Sequence, residues 1–421
     1  MLKATYFRED IRKYQLKKIN NVLNHALNYS PFYKNLYNEY GIKNSFSINN
    51  IEEIDKLPVV SKKMFKEATK NNLVLSNQYD IKDLTCGHTT GSTGSPTKVC
   101  FDRICIKNRA NSLFWLWNKM GYYPYNKSIK IWREKQYNEH ELKLYNKGLF
   151  KSLSIGDFTD PKEVGFNNKI KEELISNLKD FSPKVIRGYS SALVQIATYI
   201  EEAKIKIPGV QSVISSGEYL SHKNWDFLEN VFKCNIYNLY GGTEAPGIAV
   251  NCAGSRNLNI SEELYFIEVL DENGEMVKPG KPGLITITDL HSTATPLIRY
   301  QIGDLASIDN KFGDLNNNKY FKEVIGREDD IIRLPNGETI FPHLWYIMMR
   351  SYEWINQFKV YYDNKLNIDI VIYSNSPDKF DFNNLKNKVE KKISSINFNW
   401  ELKNNYDVPI FKEKNIIIHG K

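Results

Sequence analysis

Val210-Gln211-Ser212-Val213-Ile214-Ser215 is a short apolar run, and a helical pattern follows over 221–232. Asn235-Ile236-Tyr237-Asn238-Leu239 is then a second apolar run. Two strands joined through a helix of that length pair side by side in parallel, because a tight turn can only reverse the chain. The same alternation runs upstream, with a strand at Ile129-Lys130-Ile131-Trp132, a helix over 168–179, a strand at Lys184-Val185-Ile186 and a helix over 191–203. Stacked units of this kind predict an α/β fold with parallel βαβ layers.

Outward from this centre the pattern changes. Between 262 and 334, alternating strands joined by turns such as Asp271-Glu272-Asn273-Gly274 read as antiparallel β. Past Gly326 comes a smaller β/α segment, with a turn at Asn336-Gly337, helices near 342–352 and 378–394, and strands near 357–362 and 367–373. On the N-terminal side, residues 9–29 carry Ile11, Leu16, Ile19, Val22, Leu23, Ala26 and Leu27 at helical spacing, and Ser30-Pro31 stops that helix. A short helix over Phe32 to Tyr40 follows, then one capped by Ser61 and running to Thr69. The next, Ile104 to Met120, carries Phe114, Trp115 and Trp117, which read as core. These elements predict a large N-terminal domain over 1–325, with βαβ layers and a β-rich subdomain, and a small α+β domain over 326–421.

Composition sets the outer limits. The chain has 421 residues and a net charge of +8, spread without a dense Lys/Arg block. That distribution argues against a nucleic-acid partner. The five cysteines form no Cys-x-x-Cys pair and no even framework, which argues against disulfide staples or structural zinc and for a reducing compartment. The first residues become charged before an apolar core builds up, and no apolar run reaches bilayer-spanning length. A cytoplasmic protein without membrane insertion is expected.

Five stretches carry chemistry. Thr89-Thr90-Gly91-Ser92-Thr93-Gly94-Ser95-Pro96-Thr97-Lys98 alternates hydroxyls with glycines between two strand-like runs. Glycine lets the backbone turn its N–H groups onto a ligand, Ser and Thr add donors, and Lys98 adds a point charge, a combination suited to nucleotide phosphates. No Gly-Lys-Ser/Thr follows, so it is not a Walker A loop. Ser215-Ser216-Gly217-Glu218 and Tyr240-Gly241-Gly242-Thr243-Glu244 each close a strand, and ligands of open α/β sheets bind outside those strand ends. Tyr240 can stack on a base, Thr243 can bond a phosphate oxygen, and Glu244 can hold Mg²⁺, which prefers oxygen ligands. Ile298-Arg299-Tyr300-Gln301-Ile302-Gly303-Asp304 ends in a carboxylate able to accept from ribose hydroxyls. Gly326-Arg327-Glu328-Asp329-Asp330 sits at the expected domain boundary.

In this order and spacing, the sequence resembles the adenylate-forming superfamily of acyl-CoA synthetases, luciferase and adenylation domains. Within it the chain is similar to the phenylacetate–CoA ligase branch and its capsule-biosynthesis, CapK-like, relatives. Features of that branch are His25-Ala26, Ser30-Pro31-Phe32-Tyr33, Lys56-Leu57-Pro58, Gly188-Tyr189-Ser190-Ser191-Ala192, and Asp289-Leu290 with Pro296-Leu297-Ile298-Arg299-Tyr300. The resemblance implies that the loop 89–98 clamps the β- and γ-phosphates of ATP. Ser216, Gly217 and Glu218 would lie along the adenine, with Tyr240 and Gly241 beside it. Thr243 would touch the α-phosphate and Glu244 the magnesium. Asp304 and Arg327 would hold the ribose, and Asp329 would be the hinge of a small mobile lid domain. Tyr189, Ser191, Trp132 and Gly242 are acyl-pocket candidates. His88, beside the phosphate loop, and His222, at a helix start, lie near enough to be weighed as substrate contacts.

The chemistry implied is attack of a carboxylate on the α-phosphorus of ATP, followed by transfer of the acyl group to coenzyme A, an amine or a carrier thiol. The alternative is a nucleotide-binding homologue with impaired turnover. Two departures from the family pattern stand out. Ser95 follows the second glycine of the loop where the family usually has a lysine close by, with Lys98 the nearest. The catalytic lysine of the small domain falls on Lys421 in Gly420-Lys421, with Lys412 and Lys414 as alternatives. Some members of the branch hold zinc through Cys and His after the Gly-Thr-Glu patch; here Cys252 and Asn259 stand there, so no zinc is expected.

Overall fold

The four strands Ser128–Trp132, Val185–Gly188, Ser212–Ser216 and Asn235–Tyr240 lie parallel and adjacent; the helices Ser190–Glu202 and His222–Phe232 join the last three, while between the first two the chain also passes through the edge strand Phe150–Ser154. Their side chains explain the order. Ile129, Ile131, Val185, Ile186, Val213, Ile214 and Ile236 are buried, as expected of strands covered on both faces. From Asn235–Tyr240 the sheet continues through antiparallel partners Ala249–Asn251 and Leu258–Ile260. It then passes through Tyr320–Arg327 and Tyr300–Asp309 to Pro282–Asp289 and Tyr265–Leu270, while Phe150–Ser154 closes the other edge. The computed structural model describes residues 8–88, 97–132, 137–154, 168–309, 319–340, 342–350, 352, 354–355, 357–363, 367–374, 379–393, 396–403 and 416–418.

Helix starts follow local chemistry. Ser61 accepts from the Met64 amide, Ser221 from the Asn224 amide, and Asp102 from the amides of Ile104 and Cys105. Each satisfies donors that the first helical turn leaves over. The first helix, Arg8–Tyr29, buries Ile19, Val22, Leu23, Ala26 and Leu27, and its Gln15 donates to the Glu262 carbonyl at 2.9 Å.

By its internal contacts the chain divides into two units. The first comprises 1–132, 136–153 and 174–324, and it holds the parallel strands and most of the antiparallel ones. The second comprises 133–135, 154–173 and 325–421. Its four-stranded sheet runs Asn397–Lys403, Asn367–Tyr373, Gln357–Tyr362, Ile416–Ile418. A core of Trp345, Val360, Ile368, Ile370, Leu385 and Val389 lies under the helices Pro342–Arg350 and Lys379–Lys392.

Two expectations are corrected. Cys86 and Cys100 stand directly opposite each other in the antiparallel hairpin formed by Thr85–His88 and Lys98–Phe101, with Cα atoms 4.1 Å apart, and their sulfurs are bonded. Cross-strand register made this pair, and a separation of fourteen residues carries no motif that would announce it. Phe114 and Trp115 are 43% and 42% exposed rather than core. Their helix, Arg103–Lys119, turns Cys105, Arg109 and Leu116 inward, and the Lys119 ammonium covers the Trp115 ring. The apolar face is that of residues four and seven apart, and the aromatics fall off it.

Candidate active site

The C-terminal end of the strand Asn235–Tyr240 is where the predicted residues gather. Tyr240 ends that strand, and its hydroxyl donates to Asp304 Oδ2 at 2.7 Å. Asp304 is aimed there by a bulge. Leu284 pairs with Leu305 and Thr286 with Gln301, so the strand Tyr300–Asp309 carries extra residues at this point, with Gly303 in the left-handed region at φ +80°. Bulges of this kind re-aim a side chain beside a site.

Past Tyr240 the chain folds into a tight turn. The Gly242 amide donates to the Ala245 carbonyl at 3.0 Å. A Cβ on Gly241 would meet the Gly247 amide at 2.6 Å, so no other residue fits this close approach of backbones. The turn presents Thr243 and Glu244. Thr243 Cγ2 stands 2.7 Å from the place a Cβ on Gly87 would take. The strand that enters the phosphate loop therefore touches the Gly-Thr-Glu turn directly.

Glu244 is buried, and among the described residues its carboxylate has no hydrogen-bond or ion-pair partner. A buried carboxylate without a counter-charge suits a cation, and magnesium is commonly held by one or two carboxylates together with substrate phosphates. Among the described residues no group of three His, Cys, Asp or Glu side chains forms a site made of protein alone.

The neighbouring strand end assembles a second group. Gly217 adopts φ +79° after Ser216, and a Cβ there would sit 3.0 Å from the Tyr189 ring. Tyr189 stacks on Trp132, with centroids 4.0 Å apart and planes 25° from parallel. Glu218 Oε2 accepts from the Ser191 amide at 3.0 Å and its hydroxyl at 2.5 Å, while the buried Oε1 has no partner among the described residues. The expected adenine side and the expected acyl-pocket residues thus form one contiguous wall.

Other candidates fall as follows. Thr97 is buried, and Lys98 begins the return strand of the hairpin opposite His88. Thr89, Thr90, Gly91, Ser92, Thr93, Gly94 and Ser95 lie outside the described residues, as do Lys412, Lys414 and Lys421. Arg327 ends the strand Tyr320–Arg327, and Asp329 sits in the short 3₁₀ turn Glu328–Asp330, both in the second unit. His222 meets Arg256 at 3.2 Å, and Arg256 also pairs with Asp226. The Asn259 amide donates to the Cys252 sulfur at 3.2 Å. His25 is half-buried, meets the Ser76 hydroxyl at 2.9 Å, and has its pKa lowered by burial.

Residues 163–293 match the family model described as AMP-binding enzyme. This segment is similar to AMP-binding enzymes. It contains both strand ends described above.

Relatives matched over about four fifths of the chain point the same way. Protein CapK of Staphylococcus aureus is 24% identical over 77% of this chain and 69% of its own length. The phenylacetate-coenzyme A ligase of Pseudomonas putida is 22% identical over 79% of this chain and 74% of its own. A 2-hydroxyisobutyryl-CoA ligase, solved in the postadenylation state with R3-HIB-AMP, superposes with a TM-score of 0.78 at 17% identity, covering 99% of this chain and 91% of that one. The last likeness establishes a shared fold.

Sequence reasoning missed the residues that hold this candidate site in place. Arg109 donates to the Glu244 carbonyl at 3.1 Å and pairs with Asp289. Arg299 grips Glu268 with two bonds, at 3.1 and 2.8 Å, and the Leu57 carbonyl at 2.5 Å. Arg299 and Asp289 stood in the quoted branch features with no role given. An arginine on an otherwise apolar helix face, as at 109, was the available signal.

Proposed function

We propose that this chain is an ATP-dependent carboxylate-activating ligase that forms an acyl-adenylate and pyrophosphate, then passes the acyl group to coenzyme A with release of AMP. The observation that carries the reading is the convergence at one strand end of Tyr240, Asp304, Thr243 and Glu244, with Gly87 of the phosphate-loop hairpin against Thr243. Support also comes from the match to AMP-binding enzymes and from relatives named as coenzyme A ligases.

In this reading the nucleotide lies across the ends of the parallel strands. Asp304 accepts from the ribose hydroxyls, joined by Arg327 of the small domain. Tyr240 and the Ser216-Gly217-Glu218 edge hold the adenine. The Thr243 hydroxyl donates to the α-phosphate, and the loop 89–98 supplies N–H and hydroxyl donors to the β- and γ-phosphates. Glu244 would hold magnesium, which when bound offsets the charge of the phosphates. Both reactants are anions, so donors fixed in advance lower the barrier more than mobile water would. The acid lies toward Trp132, Tyr189, Ser191 and Gly242. Residues 326–421 act as the lid about Asp329, excluding water from the hydrolysable adenylate, with Lys421, Lys412 or Lys414 as the lysine it brings.

An amine or a carrier thiol is the alternative acceptor. Carboxylate-dependent exchange of pyrophosphate into ATP tests the first half-reaction. AMP release on adding coenzyme A, against a panel of amines, assigns the acceptor.

A further inference from the structure

We propose that Arg109, backed by Asp289, is a positioning residue that sets the aim of Thr243 and Glu244. The inference rests on the adenylation reading and deepens it.

Arg109 is buried on the helix Arg103–Lys119 and meets three separate segments. One terminal N–H donates to the Glu244 carbonyl at 3.1 Å, fixing the peptide that follows the two presented side chains. The same end of the guanidinium pairs with Asp289, at the end of the strand Pro282–Asp289. Its flat face lies over the Phe101 ring at 4.0 Å, at the end of the strand returning from the phosphate loop. One turn further along the helix, Leu113 packs where the chain leaves the Gly-Thr-Glu turn, 2.6 Å from the place a Cβ on Gly247 would take. Arg109 and Leu113 thus hold the exit of that turn from one helix face.

Asp289 is itself fixed. Its Oδ1 accepts from the amides of His291 at 2.9 Å and Ser292 at 3.0 Å, leaving Oδ2 for Arg109. A buried ion pair is weak evidence for stability, since apolar residues of equal volume often serve as well; setting register is its better-attested use. Consistent with that, the Arg109 Nε–H is buried and has no acceptor among the described residues, a cost that mere filling of the space would not incur. Both bonds leave one terminal nitrogen while the guanidinium carbon lies over the ring, a placement that lysine, with a compact point charge in place of a delocalised plane, does not reproduce.

The test compares Arg109→Met, Arg109→Lys and Asp289→Asn with the parent full-length chain. Thermal melting and active-site titration give the folded fraction, and kinetics are expressed per folded molecule. Calorimetry measures ATP binding with magnesium and with EDTA. The expected result is a loss of exchange kcat on the order of 100-fold in Arg109→Met, the scale of a reacting group displaced by about 1 Å. KM for the acid stays within about threefold, below the tenfold that 1.4 kcal/mol represents. Arg109→Lys and Asp289→Asn fall in the same direction. ATP binding in EDTA stays near the parent value, while the strengthening by magnesium shrinks.

Parent-like kcat per folded molecule in all three variants overturns the proposal, as does an unchanged magnesium effect on ATP binding. Should Arg109→Met fail to fold, the other two variants decide. If the parent exchanges with no acid, the adenylation reading fails by itself, and the magnesium effect on ATP binding still judges Arg109.

Discussion

Gly87 and Thr243 touch: a Cβ on the first would stand 2.7 Å from Cγ2 of the second, inside any real carbon–carbon contact. The two belong to segments more than 150 residues apart, one leading into the phosphate loop and one following the strand Asn235–Tyr240. The backbone of Gly87 is ordinary strand, so only space demands glycine. Gly87→Ala should force the β-branched Thr243 off its rotamer, at about 1 kcal/mol. The expected outcome is a fall of about tenfold in pyrophosphate exchange, the equivalent of 1.4 kcal/mol in the transition state, with the melting temperature nearly unchanged.

Tyr240 and Asp304 are joined at 2.7 Å. Tyr240→Phe removes one hydrogen bond to a carboxylate, and KM for ATP should rise on the order of 10- to 100-fold, matching the roughly 1.5–3 kcal/mol typical of such bonds. Asp304→Ala also removes the proposed ribose acceptor and should cost more. Steady-state kinetics at saturating acid separate these effects from kcat.

Arg299 is a fold determinant rather than a ligand of the site. It takes φ +46°, uncommon for a side chain of its size, and is held by Glu268 and by the carbonyls of Asp55 and Leu57. Cutting this buried pair by Arg299→Met should cost about 3–5 kcal/mol in urea unfolding. Glu268→Gln should cost less, since an acceptor for the guanidinium remains.

Stability should fall on the acid side through two histidines. Burial lowers the pKa of His291, which sits between the Tyr14 hydroxyl, the Asn108 amide and the Glu263 carbonyl, with Asp289, Lys18 and Arg109 as the nearby charges. Burial lowers His25 in the same way. Below 6.5 the unfolded chain takes up protons that the folded chain refuses. Stability is therefore complete above that pH and drops as pH falls toward the depressed values. His291→Gln should flatten the slope of unfolding free energy between pH 7 and 5.

The parallel layers were legible because their strands are continuous apolar runs separated by helical spacing, as at 212–216 and 235–240. Most helices fell within a residue or two of their expected ends for the same reason. Less legible were elements without a periodic signature. The helix Glu139–Asn146 and the short strands Ala249–Asn251 and Leu258–Ile260 went unassigned. Among site residues, Tyr240, Thr243, Glu244 and Asp304, singled out from their motifs, stand at one strand end. The Tyr240–Asp304 bond, the Gly87–Thr243 contact and the Arg109 clamp depend on which strands become neighbours, and spacing along the chain does not encode that. The Cys86–Cys100 bond was hidden likewise, because register alone creates it.

Carboxylate-dependent ATP–pyrophosphate exchange, measured over a panel of aryl, acyl and amino acids, tests the central claim most directly. The account predicts that at least one acid drives exchange, and that Glu244→Ala reduces it by at least about 100-fold, the scale of losing one preorganised charge contact, in a chain that remains folded. ATP binding without exchange for any acid, or exchange that survives Glu244→Ala unchanged, would contradict it.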